Sequence, residues 1–332
     1  MSTKSKRKLA VAAVLAFVLA ASAQDPPPQK DDQGTETFKV SVDVVNVFYN
    51  VKDGHGALIP GLTKDDFELS EDGAHQSIKY FSAESNQPLT MGILIDTSPS
   101  QQRVLGMEQE VGASFLRQVM TQKDIAFLIS FDVNVDLLQD YTSDPRQLRE
   151  AMRKAHIGGA EVDMGGVGGN PVPTRGPRGA TKLYDAVYLS AREQLMQEVG
   201  RKAMILLTDG GEQGSKVDLA DAIEAAQKAD AICYVLLVAD RNWYWMNGGS
   251  YPGASEVKKL TEQTGGRVIE VGSDPEKLKD AFDQISNELR SQYNIGYTST
   301  NTQHDGSFRK IEIKSRSGYK IQARRGYYAR SQ

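Results

Sequence analysis

Cysteine is almost absent from this chain of 332 residues, whose only thiol is Cys233. A single cysteine excludes an intramolecular disulfide. Because the neighbours of Cys233 in the run 231–238 are mostly aliphatic, it is predicted to be a small core residue; a reactive thiol needs exposure and nearby positive charge. Histidine is scarce as well, and the four imidazoles are scattered without the spacing of a zinc site.

Long apolar segments and an excess of positive charge are also missing. Beyond residue 23 there is no run of eighteen apolar residues, so we expect no transmembrane helix in the mature chain. The formal net charge is −4, which gives no electrostatic basis for binding nucleic acid and suits a protein that collects cations. The glycine-rich segment 158–179 lacks the Gly-Lys-Ser/Thr ending of a phosphate-binding loop, and we interpret it as a surface loop.

Residues 1–23 have the order of a secretory signal. Four basic residues precede the apolar run 9–20, and Ala21-Ser22-Ala23 supplies a cleavage site of the small-x-small type. We expect cleavage after Ala23 and a secreted or periplasmic mature protein; an uncleaved anchor is the alternative. Residues 24–37 contain three consecutive prolines and no apolar cluster, which predicts a disordered linker.

The pattern of apolar and polar residues in the remaining chain changes twice. Residues 38–86 and 292–330 contain short alternating strands separated by turn residues, which is typical of β structure. Between them, residues 87–291 alternate apolar strands with amphipathic helices, which predicts an α/β domain with a doubly wound, mostly parallel sheet. Each β segment alone has too few strands to bury a core. We therefore expect one β-sandwich made from both segments, with the α/β domain inserted in it; two separate β modules are the alternative.

Oxygen-bearing side chains stand at the ends of the predicted strands. The run Asp96-Thr97-Ser98-Pro99-Ser100 directly follows an apolar strand, Asp209 follows another, and Thr181 opens a helix after the glycine-rich segment. Open α/β sheets bind ligands beyond the carboxyl ends of their strands, so these groups are expected to converge. Two carboxylates and three hydroxyls are ligands that suit Mg²⁺, and they leave a coordination position open.

In this pattern the sequence resembles the metal-ion-dependent adhesion site of von Willebrand factor A (VWA) domains. All five family positions are met in order: Asp-x-Ser-x-Ser, then a Thr, then an Asp in Thr-Asp-Gly. The resemblance covers about residues 90–290 and implies Mg²⁺, with Mn²⁺ or Ca²⁺ as alternatives, held directly or through water by Asp96, Ser98, Ser100, Thr181 and Asp209. It also implies a protein partner whose carboxylate completes the shell. Pro99 stands where Gly is common, which stiffens the loop without removing a ligand.

The segments on either side are similar to those of VWA-related proteins found widely in acidobacteria. That family has a β segment near Phe-x-Leu-x-Glu-Asp-Gly, which begins here at Phe67, and an ending that resembles Tyr293-Asn294-Ile295-Gly296-Tyr297 followed by Gly326-Tyr327. The match extends over nearly the whole mature chain. It identifies a family more than a function.

We therefore expect an exported binding protein rather than an enzyme. The alternative is a structural or assembly component of the cell envelope with a vestigial metal site, which binds through the sandwich. A phosphotransfer role for Asp96 is less well supported, because no partnered acid–base residue is visible. Trp243 and Trp245 lie in a connection after Asp240 and are predicted to bind the partner, with packing against the sandwich as the alternative. The oligomeric state is not indicated.

Overall fold

The computed structural model describes residues 44–83, 87–158, 180–240, 245 and 252–331. The predicted signal (1–23), the predicted linker (24–37), most of the glycine-rich segment and Trp243 lie outside the described residues. Residues from Val42 to Gln332 form one compact unit. None of the helices in the described ranges has the length and the apolar run needed to cross a membrane.

The described ranges contain strands of the two terminal β segments and strands of the α/β domain, as the sequence predicts. In chain order they are β1 (Val44–Lys52), β2 (Phe67–Glu71), β3 (Ala74–His75), β4 (Tyr80–Ser82), β5 (Leu89–Asp96), β6 (Ile125–Phe131), β7 (Val135–Thr142), β8 (Arg201–Thr208), β9 (Ala231–Val238), β10 (Val268–Gly272), β11 (Tyr293–Thr298), β12 (Phe308–Ser315), β13 (Lys320–Ala323) and β14 (Gly326–Tyr328). The α-helices are α1 (Leu105–Val119), α2 (Pro145–Met152), α3 (Leu183–Leu189), α4 (Leu219–Lys228), α5 (Ala254–Thr264) and α6 (Pro275–Arg290).

A six-stranded sheet forms the centre of the molecule, in the order β10-β9-β8-β5-β6-β7. Its strands are parallel except for β7, which runs antiparallel to β6. Every residue of β5 and β8 is buried, as expected for strands covered on both faces. After β5 the chain adds β6 and β7 on one side of the sheet, and after β8 it adds β9 and β10 on the other side. The boundary between β5 and β8 is therefore the switch point at which such sheets bind ligands.

Helices cover both faces of this sheet. One core contains Phe115 of α1, Leu148 of α2 and Phe282 of α6, and the opposite core contains residues of α3, α4 and α5. An aspartate followed by proline, as at Asp144-Pro145, predicts the start of a helix, and the structure agrees: the side chains of Asp144 and Asp274 accept hydrogen bonds from backbone N–H groups at the starts of α2 and α6. The expectation of a doubly wound α/β sheet is confirmed.

Two four-stranded antiparallel sheets flank the α/β part, in the orders β13-β1-β11-β4 and β14-β12-β2-β3. Each sheet combines strands from both ends of the chain: β1 pairs with β11 and β13, and β2 pairs with β12. The two sheets share one core, in which the rings of Tyr49, Phe67 and Tyr293 are in contact. The expected sandwich made from both terminal segments is therefore present.

A buried ionic cluster joins the sandwich to the α/β part. Glu288, near the end of α6, accepts a hydrogen bond from Lys52 Nζ of β1 at 2.9 Å and pairs with Arg267 at 2.7 Å. Gln322 of β13 donates to the other carboxylate oxygen at 3.1 Å. Glu288 is only 3% exposed, so water cannot reach its carboxylate. These partners therefore supply the hydrogen-bond donors that the carboxylate needs.

Two stretches of the α/β part show details that the sequence pattern does not specify. Residues 182–198 are predicted to be helical, and the structure is helical over most of this range, since α3 continues as a π-helix over Ser190–Leu195. The pattern Ser215-x-x-Asp218 predicts a capping box that begins at Ser215, but the capping box of α4 begins at Asp218, whose side chain accepts from the backbone N–H of Asp221. The oxygen of Ser215 accepts instead from the backbone N–H of Asp185, in the first turn of α3, at 3.1 Å.

Candidate metal centre

Asp96 and Asp209 lie at the same edge of the central sheet. Asp96 is the last residue of β5, and Asp209 directly follows β8, the parallel neighbour of β5. Both carboxylates are buried, with exposures of 0% and 2%. Adjacent parallel strands end side by side, which explains why residues 113 positions apart in the chain meet here.

Hydrogen bonds hold the carboxylate of Asp96 in one orientation. Its Oδ1 accepts from the backbone N–H of Ser98 at 2.9 Å, and its Oδ2 accepts from the hydroxyl of Thr208 at 2.6 Å. The same Thr208 oxygen accepts from the backbone N–H of Gly210 at 3.0 Å. The end of β8 thus orients Asp96 and also shapes the turn that carries Asp209.

The two serine hydroxyls of the loop after β5 converge. The Oγ atoms of Ser98 and Ser100 are 3.0 Å apart. In an octahedral shell with bonds of about 2.0–2.1 Å, neighbouring oxygens lie about 3 Å apart, so this separation fits two adjacent Mg²⁺ ligands. Ser98 is 2% exposed, whereas Ser100 is half-buried and is the most accessible of the five predicted ligands.

Backbone contacts bring Thr181 to this edge. Thr181 and Gln213 exchange two backbone hydrogen bonds of 2.8 and 2.9 Å, which ties Thr181 to the loop after Asp209. The next residue, Lys182, donates to the carbonyl of Asp132, whose carboxylate accepts from the Thr97 hydroxyl at 3.1 Å. Thr181 therefore lies between the loops of Asp96 and Asp209, although no hydrogen bond of its own hydroxyl occurs among the described residues.

Burial makes the site electrostatically unfavourable without a cation. Burial, followed by the charge of Asp209, raises the pKa of Asp96 to about 7, even though hydrogen bonds from Ser98 and Thr208 lower it. A divalent cation between the two carboxylates would remove their repulsion. The residues present therefore fit a hard cation, in charge as well as in donor type.

The donor set also limits how a cation is held. No group of three or more His, Cys, Asp or Glu side chains able to hold a metal occurs within the described ranges. A cation at this edge would depend on the serine and threonine hydroxyls and on water, as well as on two carboxylates. Such a shell, with neutral ligands and retained water, is what Mg²⁺ favours.

Three residues around the site were not predicted from the sequence. Thr208 could be found from its place at a strand end next to Asp209. Glu108 occupies a core position of α1, three residues after Leu105 and seven before Phe115, and is fully buried. An acidic residue inside a helical apolar stripe is the signal that could have revealed it. Gln101, which is also fully buried, has no comparable signal.

The segment that contains the predicted partner-binding tryptophans begins and ends next to the metal loops, which are the loop of Ser98 and Ser100 and the turn after Asp209. Asp240 forms a 2.8 Å ion pair with Arg103, three residues after Ser100. At the other end, Gly253 packs so closely on the Gly210 carbonyl that a Cβ would lie 1.8 Å from its oxygen. Trp245 is 81% exposed, so it does not pack in a core. Partner binding by Trp243 and Trp245 stays a prediction.

Comparison with known proteins gives matches at the level of structure alone. No family model matches the sequence, and no curated protein matches it. A von Willebrand factor type A structure from Catenulispora acidiphila aligns with 87% of this chain and 74% of its own, at 12% identity and a TM-score of 0.47.

Two structures from Bacteroides are also similar. The conserved hypothetical protein BatB from Bacteroides thetaiotaomicron aligns over 61% of this chain and 100% of its own, at 19% identity and a TM-score of 0.44. An aerotolerance-related membrane protein from Bacteroides fragilis aligns over 60% and 99%, at 17% identity and a TM-score of 0.43. Because the scores are below 0.5, the function is inferred from the site itself.

Proposed function

We propose that this chain is an exported binding protein that holds Mg²⁺, or Mn²⁺ or Ca²⁺ in its place, at the edge formed by β5 and β8. The predicted ligands are Asp96, Ser98, Ser100, Thr181 and Asp209. The observation that carries the proposal is the pair of serine hydroxyls 3.0 Å apart beside two buried carboxylates on adjacent strand ends. Burying two like charges is costly unless a cation compensates them.

The proposed role of the cation is recognition. Two carboxylates neutralise a divalent ion and the hydroxyls add no charge, so an external carboxylate is an effective further ligand. We propose that a protein partner supplies it on the side of Ser100, the most accessible predicted ligand. Trp245 adds an exposed aromatic surface in a segment whose ends contact both metal loops, and aromatic residues of this kind are frequent binding hot spots.

Calorimetric titration of Mg²⁺ and Mn²⁺ into the mature chain tests the metal centre. Wild type is expected to give saturable binding below millimolar concentration, and Asp96→Ala and Asp209→Ala are expected to abolish it while the fold survives. Asp136→Ala is the matched control, because Asp136 is an exposed carboxylate on β7 outside the site. Absence of any divalent-ion heat or thermal shift for wild type up to millimolar concentration would refute the metal centre and leave the structural role as the remaining candidate.

A pull-down from the parent cell envelope tests the partner. Specific capture should be lost both with chelator and with Asp96→Ala, and it should be retained by Asp136→Ala. Capture that persists in chelator would contradict recognition through the cation. N-terminal sequencing of the exported protein should begin at Gln24; an intact Met1 in a membrane fraction would contradict the proposed export.

A further inference from the structure

A third acidic residue, Glu108, follows the loop of the predicted serine ligands in the chain and has no role in the five-residue motif. Glu108 stands in the first turn of α1, and its backbone N–H donates to Val104, which in turn donates to Gln101. Gln101 donates to Ser98. This ladder of backbone hydrogen bonds connects Glu108 rigidly to the loop of the predicted serine ligands.

The side chain of Glu108 is buried without compensation. It is 0% exposed, and neither carboxyl oxygen has a hydrogen-bond partner among the described residues. A buried hydrogen-bond acceptor without a donor lowers the stability of the folded state. A carboxyl placed here only to fill the core would be a poorer choice than leucine, so its position requires another explanation.

The surroundings of Glu108 connect it with the site. Beyond burial itself, the groups that raise the pKa of Glu108 are Asp96 and Asp209. Gln101 is a second, independent polar side chain of the same kind, since it is 0% exposed and both of its amide atoms lack partners within the described ranges. Two buried side chains with unpaired polar atoms thus follow the predicted serine ligands within eight residues of Ser100.

The carboxyl of Glu108 does not join Asp96 and Asp209 as a direct ligand. The described residues contain no cluster of three acidic, histidine or cysteine side chains able to hold a metal. A cation held by two carboxylates and hydroxyls retains water in its shell, and those water molecules donate hydrogen bonds. Unpaired acceptors just outside the coordination shell are suited to accept these hydrogen bonds.

We propose that Glu108 is an outer-sphere positioning residue of the cation site, whose carboxylate accepts hydrogen bonds from water bound to the cation on its buried side. The inference rests on the metal centre proposed above and extends it by one residue. Gln101 assists by pairing with the same water molecules. Because Glu108 lies outside the coordination shell, it leaves the partner's position near Ser100 unchanged.

Magnesium titration of the full mature chain tests the assignment. Glu108→Gln keeps the shape of the side chain but cannot ionise, and Glu108→Leu removes the polar atoms altogether. Both are expected to weaken Mg²⁺ binding by about 10–100-fold, the usual effect of losing an outer-shell partner. Glu110→Gln is the matched control, because Glu110 is an exposed acid on the same helix and should leave the affinity within about twofold of wild type, as a surface charge.

Urea unfolding in chelator separates this role from a structural one. Glu108→Leu is expected to unfold at the same or a higher urea concentration than wild type, because unpaired acceptors leave the core, while its affinity for Mg²⁺ falls. Wild-type affinity in both Glu108 variants would overturn the assignment and leave the metal centre intact. The assignment is also overturned if both variants fail to fold, since Glu108 is then structural. If wild type itself binds no Mg²⁺, the proposed metal centre fails and this inference with it.

Discussion

Replacement of Asp96 by asparagine should stabilise the metal-free protein at alkaline pH. Burial and the charge of Asp209 raise the pKa of Asp96 from 3.8 to about 7. Each pH unit between the two values corresponds to about 1.4 kcal/mol, so the ionised carboxylate costs the metal-free fold about 4 kcal/mol at most. Asparagine carries no charge at any pH and removes this cost.

The sign follows from proton binding. Between pH 3.8 and about 7, the folded state keeps the proton of Asp96 while the unfolded state has lost it. The stabilisation from Asp96 is therefore fully present below pH 3.8 and is lost as the pH rises to about 7. Between pH 5 and pH 8 the difference in unfolding free energy between Asp96→Asn and wild type should widen by about 2.5 kcal/mol in favour of the variant.

The structure accepts the substitution. The asparagine Oδ1 can still accept from the Ser98 N–H. Thr208, which now donates to Asp96 Oδ2, has to accept from the asparagine NH₂ group instead, and a hydroxyl with two lone pairs can do so while it also accepts from Gly210. Most of the calculated difference should therefore be measurable.

Urea unfolding in chelator at pH 5 and pH 8 is the assay, with Asp136→Asn as the control for an exposed aspartate. Saturating Mg²⁺ at pH 8 should stabilise wild type, by about 2.7 kcal/mol at a hundredfold excess over Kd, and should leave Asp96→Asn unchanged. A stability difference that is equal at both pH values would refute the electrostatic account of the site.

Three further changes test other parts of the structure. Glu288→Ala should lower the unfolding free energy by about 3–5 kcal/mol, because it leaves Lys52 and Arg267 without their buried partner; a loss below about 1 kcal/mol in urea unfolding would contradict this. Trp245→Ala should change stability by no more than about 0.5 kcal/mol, since the ring is 81% exposed, and it should weaken partner capture. Gly253→Ala should cost about 1–3 kcal/mol and weaken Mg²⁺ binding, because φ is +71° and the new Cβ would displace the Gly210 carbonyl beside Asp209; wild-type Mg²⁺ affinity would exclude that coupling.

The sequence by itself determined the elements and the identity of the candidate ligands. The strands β5 and β8 are predictable because a strand covered on both faces consists almost entirely of apolar residues. Asp96 and Asp209 are predictable because they follow such strands, and the ends of neighbouring parallel strands share one edge. The starts of α2 and α6 are predictable because an aspartate followed by proline satisfies the first backbone N–H groups within a few residues. All of these signals are local.

Tertiary structure alone decided which distant groups meet. Val44 pairs with Thr298 at the opposite end of the chain, and Glu288 meets Lys52 across the two parts of the molecule; local propensity contains no information about such partners. The burial of Glu108 and the hydrogen bond from Thr208 to Asp96 depend on how α1 and β8 pack against β5. The ligands of the metal centre can thus be read from strand ends, whereas the groups that orient and surround them arise from packing between elements far apart in sequence.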